Sequence, residues 1–266
     1  MRNQSSQWLI PLLLAAGAAG ALWYYWAQVS QPIEAPVPEP PVASEPEEAP
    51  APLHPLKTIA EPGERRPGLV PLPALDESDA YLKIEIVDIF GTSVEDLLAE
   101  SGLIERIVAT VDNLPRSHVA ERIRPVGRLN TTFVIDGLDN SGMDRISPEN
   151  YRRYDAIVGL VSAADLQQVA GVYRRYYPLF QKAFVELGYP NGYFNDRLVE
   201  VIDHLLETPE VADPVAVIQP HVLYEFEDAR LEALSSGQKL LLRMGSEHAS
   251  TIKEALQQFR GHITAM

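Results

Sequence analysis

Cysteine is missing from the chain, and basic residues are scarce. The 266 residues contain no cysteine, so disulfides and lipid attachment through an N-terminal cysteine are both excluded. Only 22 basic residues stand against 37 acidic ones, which gives a formal charge of −15 at pH 7. A surface with this excess of negative charge repels phosphate groups, so we expect no nucleic-acid partner.

The chain also lacks the short motifs of common enzymes. It has no Gly-x-Ser-x-Gly, no His-Glu-x-x-His, no phosphate loop and no dinucleotide fingerprint. No set of residues has the spacing of metal ligands. We therefore expect no cofactor and no metal, and a binding or structural role is favoured over catalysis.

Charged residues are absent between Arg2 and Glu34, and most of this stretch is apolar. Residues 8–26 supply about twenty apolar positions, which at about 1.5 Å per residue cross the roughly 30 Å of a bilayer core. Trp8 at one end and Trp23–Trp26 at the other place aromatic rings where a helix meets the headgroups. The sequence therefore predicts a single transmembrane helix that anchors the chain in a membrane.

The distribution of charge predicts how this anchor, residues 1–30, is oriented. Arg2 precedes it, and the residues that follow it are acidic. Because positive charge tends to stay inside, we expect a cytoplasmic N-terminus and an exported C-terminal part. A signal peptide cleaved near the small residues 16–21 is the alternative, and it exports the same part of the chain. Small residues in this helix would also permit a homodimer.

Proline and glutamate dominate residues 31–74, where well over half of the 22 prolines lie. Proline fixes φ and has no N–H to donate, so neither a helix nor a sheet is expected here. Repulsion between the acidic side chains extends the backbone further. We therefore expect a disordered linker between the membrane helix and the exported domain.

The remaining residues, 75–266, have the hydrophobic periodicity of a mainly α-helical domain. Apolar spacing, prolines and capping residues predict helices over 76–90, briefly after Ser93, and over 103–114, 151–161, 163–187, 196–207 and 247–262. The predicted caps include Ser147, Ser162 with Asp165, Asn195, Ser235 and Ser246. Residues 131–135 and 215–226 are richer in β-branched and aromatic side chains, which predicts a few short extended segments.

Six sequence blocks in this domain are distinctive in combination. They are Val111–Pro115, Tyr173–Phe180, Gly188–Arg197, Val201–Leu206, Gln219–Phe226 and Gly237–Gly245. Through them the chain from Leu75 onward resembles a bacterial family catalogued as domain of unknown function 3014. The resemblance implies an envelope protein with one N-terminal membrane helix, which would be anchored in the bacterial inner membrane with its C-terminal domain in the periplasm. It implies no activity or catalytic residue. Residues 128–145 match the family pattern least.

Aromatic and polar residues crowd the Gly-Pro-Asn turn that follows the longest predicted helix. Exposed tyrosines in a rigid turn are typical of contact surfaces. The candidate binding residues are Tyr189, Tyr193, Phe194, Asn195, Asp196 and Arg197, joined by segment 221–226. The leading hypothesis is therefore a periplasmic interaction or structural module for an envelope protein or a cell-wall component.

A hydrolase acting on envelope substrates is the alternative hypothesis. Its polar centre would consist of the weak catalytic candidates Asp203, His204, His221 and Glu225. Ordinary helix-surface pairs and a partly buried histidine explain the same residues, so none is assigned a catalytic role. The two hypotheses differ in space, because an enzyme needs the four side chains to converge in one pocket.

The predicted topology can be tested with reporters fused after Met266. We expect alkaline phosphatase at this position to be active and a fluorescent protein that matures only in the cytosol to be dark, because the C-terminal part is exported. Deletion of residues 8–26 should reverse both signals and move the fusion out of the membrane fraction. A fluorescent fusion in the intact chain would contradict the predicted orientation.

Overall fold

The computed structural model describes residues 51–56, 71–127, 132–136 and 144–264. The predicted membrane helix at 8–26 and most of the linker lie outside these ranges. Within them the chain is mainly α-helical with a few short strands, as the sequence predicts.

Helices account for most of the described residues. In chain order the α-helices are α1 (Ser78–Phe90), α2 (Leu103–Asn113), α3 (Pro148–Arg152), α4 (Asp155–Ala163), α5 (Leu166–Glu186), α6 (Phe194–Leu206), α7 (Ala229–Glu232), α8 (Ser236–Met244) and α9 (Ser246–Thr264). Short 3₁₀ turns lie at Leu75–Glu77, Thr92–Leu97 and Glu121–Ile123.

Four short strands form one antiparallel sheet in the order β1-β2-β3-β4. They are β1 (Ile135–Asp136), β2 (Asp144–Ile146), β3 (Ala216–Ile218) and β4 (Glu225–Phe226). In the register, Asp144 faces Val217 and Val217 faces Phe226. Segment 215–226, which was predicted to be extended, therefore forms the hairpin of β3 and β4, whereas β2 lies outside both predicted extended segments.

Several predicted caps are confirmed. The Ser147 hydroxyl accepts the N–H of Glu149 at 3.4 Å, and Pro148 occupies the first turn of α3, where a missing N–H costs nothing. The Asp165 carboxylate accepts from the first turn of α5. Ser235 and Gln238 form a reciprocal capping box at α8.

Other helix boundaries differ from the prediction. The stretch predicted as one helix over 151–161 is divided between α3 and α4, and Ala163 ends α4 rather than starting the next helix. Asn195 is not a cap, because α6 begins one residue earlier and Tyr193 is its N-cap. Helix α9 begins at Ser246, and a distant carboxylate, that of Asp213, accepts the Ser246 N–H at 2.7 Å. At Asn195 and Ser246, hydrogen-bond partners that are distant in the sequence are found instead of the predicted local caps.

Among the described helices, none is by itself long and apolar enough to span a membrane. Helices α4 and α5 reach that length and composition only as a pair, and the chain bends by 87° between them. Helix α5 runs through Pro178 without a break.

The largest hydrophobic cluster is built around α5. Its buried side chains come from α1, α2, α5, α6 and α9, and Tyr176 and Phe194 are each 1% exposed. Aromatic rings pack at the centre, where Phe180 and Phe194 stack with centroids 5.6 Å apart. A second cluster lies under the sheet around Ile146 and Phe226, and a third joins α6 to α8 and α9.

Residues 51–56, which the sequence assigns to the linker, contact the domain. Leu56 packs against the α5 cluster, and the backbone of Leu53 and His54 is hydrogen-bonded to α6. The contacts of the domain therefore begin well before residue 75.

Gly245 at the end of α8 should be intolerant of any side chain. Its φ of 88° and ψ of 159° are tolerated almost only by glycine, and a Cβ there would lie 2.9 Å from Cγ of Tyr151. We expect Gly245→Ala to lower the free energy of unfolding by about 3 kcal/mol in urea titrations. Gly171→Ala is the matched control, because a Cβ inside α5 meets nothing within 4 Å and should stabilise the helix by about 0.5–1 kcal/mol. Equal effects of the two substitutions would contradict the packing described at Tyr151.

Candidate functional site

The predicted binding residues lie in the connection from α5 to α6 and in the first turn of α6. We call these residues, 187–197, the corner. The Gln181 side chain organises it from α5. Its Nε2 donates to the carbonyl of Gly192 at 2.7 Å, and its Oε1 accepts the N–H of Phe194 at 2.8 Å. The Tyr177 hydroxyl donates to the same Oε1 at 3.1 Å. Burial raises the pKa of Tyr177 to about 12, so this donor keeps its proton at neutral pH.

Two of the candidate binding residues are buried, so the expectation that they form an exposed surface is wrong. Phe194 lies among the rings of α5, and Asn195 is 0% exposed. The Asn195 side chain accepts from the Tyr173 hydroxyl at 3.1 Å and donates to the carbonyl of Ile263 at 3.3 Å. Burial holds the pKa of Tyr173 well above its usual value, which keeps this hydroxyl a donor. The sequence predicted exposure because turns rich in Gly, Pro and Asn usually lie on the surface. This turn lies directly against the core, so the two side chains are buried.

Tyr189 and Arg197 meet a carboxylate that the sequence analysis did not single out. The Asp112 side chain is only 4% exposed, and it accepts Arg197 Nε at 3.0 Å and the Tyr189 hydroxyl at 3.2 Å. Arg116 Nη2 adds a contact at 2.7 Å. A buried carboxylate needs such partners, because an unpaired charge in the interior is strongly unfavourable. We call these four residues the Asp112 cluster.

The charges of the Asp112 cluster also act on Arg197. Burial lowers the pKa of Arg197, but hydrogen bonds and charges from Glu200 and Asp112 outweigh that effect and raise the pKa above its ordinary value. Arg197 Nη1 lies 2.9 Å from Glu200, and its Nη2 donates to the Asp112 carbonyl at 2.9 Å. The positive charge of Arg197 is thus paired with carboxylates of the same domain.

Asp196 binds another part of the same chain. Its two carboxylate oxygens accept the N–H groups of Leu53 at 2.9 Å and His54 at 2.7 Å. Tyr193 is half-buried beside it, and Tyr189 stacks on Phe184 with centroids 4.6 Å apart. The corner therefore brings the candidate binding residues together, but most of their polar groups already have partners.

The four weak catalytic candidates do not form one centre. Asp203 accepts two hydrogen bonds from Arg260 on α9, one of them from Nη2 at 2.9 Å. His204 Nε2 lies 2.9 Å from the Ser235 hydroxyl. His221 is exposed between β3 and β4, while Glu225 lies in β4. Two of the four are thus engaged in separate pairs, which counts against the hydrolase hypothesis.

The contact between Ser235 and His204 resembles a nucleophile and its base, but it has a structural explanation. Ser235 is 8% exposed, and its hydroxyl also accepts the N–H of Gln238 in the capping box. Gln238 in turn donates to the His204 carbonyl at 3.1 Å. These bonds fasten the start of α8 to α6. In the described residues no group of three or more His, Asp and Glu side chains could hold a metal ion.

The second predicted binding segment, 221–226, belongs to the β3–β4 hairpin. Residues 218–223 form its exposed end, which we call the hairpin tip. The side chains of Ile218, Val222 and Leu223 are 41%, 84% and 75% exposed. Phe226 at the base is 2% exposed and joins the sheet cluster, whereas Phe194 of the corner belongs to the α5 cluster. The two predicted segments therefore rest on different parts of the core.

Polar contacts stiffen the base of the hairpin. Glu232 accepts the Phe226 N–H at 2.9 Å and pairs with Lys239 Nζ at 2.7 Å. The Arg243 guanidinium lies 5.3 Å from the centroid of the Phe226 ring. Tyr224 packs against Phe133 with centroids 5.2 Å apart. An apolar tip thus projects from a base that is fixed on several sides.

Two concavities occur elsewhere in the described residues. One, of about 370 Å³, lies between segment 208–215 and the start of α9, with Lys253 and Asp213 among its polar groups. Lys253 donates to the Thr208 carbonyl and Asp213 caps α9, so both already serve the fold. The other, of about 210 Å³, is an apolar groove between α1 and the α5 cluster.

Glu232 makes stability at acidic pH a test of the hairpin base. Burial raises its pKa, but hydrogen bonds from Lys239 and the Phe226 N–H outweigh burial and lower the pKa below its usual value. A depressed folded-state pKa contributes stability above the unfolded-state pKa, and this stability is lost as the pH falls through the folded-state value. The stability difference between the wild type and Glu232→Gln should therefore shrink between about pH 5 and pH 3 in urea titrations. A difference that stayed constant over this range would contradict the pairing.

Comparison with known proteins gives one match. No curated protein and no solved structure matches the chain. The family model described as Protein of unknown function (DUF3014) matches residues 103–260, which run from α2 almost to the end of α9 and cover more than half of the chain. They include the Asp112 cluster, the corner and the hairpin tip. The protein therefore belongs to the DUF3014 family, as the sequence blocks had indicated.

Proposed function

We propose that this protein is a membrane-tethered interaction module that works in the periplasm and binds a protein partner through its hairpin tip. The anchor at residues 8–26 would hold it in the inner membrane, and the proline-rich linker would let the domain reach its partner. The exposure of Val222 and Leu223 is the observation that carries the proposal.

Large apolar side chains with this degree of exposure need a physical explanation. Val222 and Leu223 are adjacent, and both are more exposed than the large apolar residues of the helices, among which Ile84 reaches 61%. Leu53, in segment 51–56, is also 82% exposed, but it has no large apolar neighbour that is exposed beside it. Single exposed apolar residues are ordinary, but a contiguous group on a projecting hairpin is typical of a contact site. Leu223 is followed at once by residues that are fixed in the sheet cluster.

The chemistry of the tip favours a protein over a cell-wall glycan. Val222, Leu223 and Ile218 offer only aliphatic surface, which suits an apolar pocket or groove on a protein. His221 and Gln219 flank them, and the Gln219 side chain donates to the Val222 carbonyl at 3.1 Å. That bond limits the conformations of the tip, so less entropy is lost on binding.

A photo-crosslinking amino acid placed at Val222 in intact cells tests the proposal. We expect one discrete crosslinked species, and we expect Leu223→Ser to weaken it at least ~10-fold because buried apolar area is lost. The same probe at Ile84, another exposed apolar position, is the matched control and should not give that species. Because position 223 is on the surface, the unfolding midpoint of Leu223→Ser should equal that of the wild type. A crosslink that persisted unchanged in Leu223→Ser would refute a role for the tip.

A further inference from the structure

The corner holds a segment of the predicted linker on the surface of the domain. Side-chain exposure alternates along residues 51–56: Pro52, His54 and Leu56 are half-buried, whereas Ala51, Leu53 and Pro55 are exposed. The backbone bends at Leu53 and His54, so the N–H groups of both residues can reach one carboxylate. The half-buried face lies on the domain, where Leu56 reaches the α5 cluster.

Three hydrogen bonds hold the backbone of this segment. The Asp196 carboxylate accepts the N–H groups of Leu53 and His54 at 2.9 and 2.7 Å, and Asn195 Nδ2 donates to the His54 carbonyl at 2.8 Å. Bonds to an ionised carboxylate are stronger than bonds between neutral groups. Side chains of the domain thus bind main-chain atoms of the linker.

The domain prepares this site. The Asn195 oxygen is occupied by the Tyr173 hydroxyl, and one of its two amide hydrogens is directed to the Ile263 carbonyl. The remaining amide hydrogen is therefore left to point at the linker. Asp79 makes the same paired contact inside the domain, where its two oxygens accept the N–H groups of Gly102 and Leu103 at 2.7 and 2.8 Å.

The linker sequence matches what the site needs. Proline has no N–H, and Pro52 and Pro55 flank the two residues whose N–H groups are used. Leu53 and His54 are thus two successive donors inside a proline-rich stretch, and the bend at these residues directs both N–H groups to Asp196. Two successive N–H groups, a carbonyl and a following apolar side chain together satisfy the site.

We propose that Asn195 and Asp196 form a docking site for a bent peptide segment, and that residues 52–56 occupy it as a latch on the linker. While the latch is closed, the linker is held on the domain at residues 52–56. Opening the latch removes these contacts and so lengthens the stretch of chain between the predicted anchor and the domain. Because the segment belongs to the same chain, its effective concentration is high and a few hydrogen bonds suffice. The proposal does not depend on a partner at the hairpin tip.

The full chain in detergent, labelled at two positions, tests the latch. Since the chain has no cysteine, Ala51→Cys and Glu186→Cys give a single pair of nitroxide labels. We expect a narrow distance distribution in the wild type. Asp196→Asn replaces an acceptor with a donor, so it should broaden the distribution and raise amide exchange at Leu53 and His54 about ten-fold.

A second variant alters the segment rather than the site. Leu53→Pro removes one N–H and should broaden the distribution in the same way, while Leu53→Ala keeps that N–H and should not. Glu200→Gln changes the same charge one turn further along α6 and should leave the distribution narrow. Residue 53 lies outside every helix, so Leu53→Pro should leave the domain folded. It therefore tests the latch even if Asp196→Asn unfolds the domain. A broad distribution in the wild type, or a narrow one in Leu53→Pro, would overturn the proposal.

Discussion

The pairing of the buried Asp112 carboxylate with Arg197 is the interaction on which the corner depends. Asp112 lies on the buried face of α2, four residues after Val108, so its charge could not remain there without partners. Arg197 supplies two contacts to it, and Tyr189 reaches it from the turn. The cluster thereby joins α2, the turn and α6, and it fixes the start of α6 in the orientation that presents Asp196 to the linker.

The two predicted binding regions rest on different parts of the core. The corner rests on the α5 cluster and turns its polar groups inward or toward residues 53–54. The hairpin tip rests on the sheet cluster and leaves its apolar side chains in solvent. The corner thus uses hydrogen bonds to hold its own chain, whereas the hairpin tip exposes hydrophobic area.

Local patterns in the sequence predicted the five longest helices, α1, α2, α5, α6 and α9, to within a few residues. They did not predict α7, the range of α8, the break between α3 and α4, or the long-range contacts. Ser147, Asp165 and Ser235 cap helices as predicted, because capping depends on residues a few positions apart. Asn195 and Ser246 were assigned the wrong roles, since their partners are Tyr173 and Asp213, which are distant in the sequence. For the site, the sequence identified the corner but not its burial. Asp112 follows the apolar residues Val108 and Ala109 by four and three positions, which places it on the same face of α2, and this spacing was the available sign of its burial.

A double-mutant cycle between Asp112 and Arg197 tests the central claim most directly. Urea unfolding of Asp112→Ala, Arg197→Ala and the double variant gives the coupling energy between the two side chains. Arg197→Ala leaves the buried Asp112 carboxylate with only Arg116 and Tyr189, and Asp112→Ala leaves Arg197 with only Glu200 as its carboxylate partner, so each should cost about 3 kcal/mol. The double variant should cost little more than either one, with a coupling energy of about 2 kcal/mol or more. Costs that simply add would contradict the claim that this pair holds the corner.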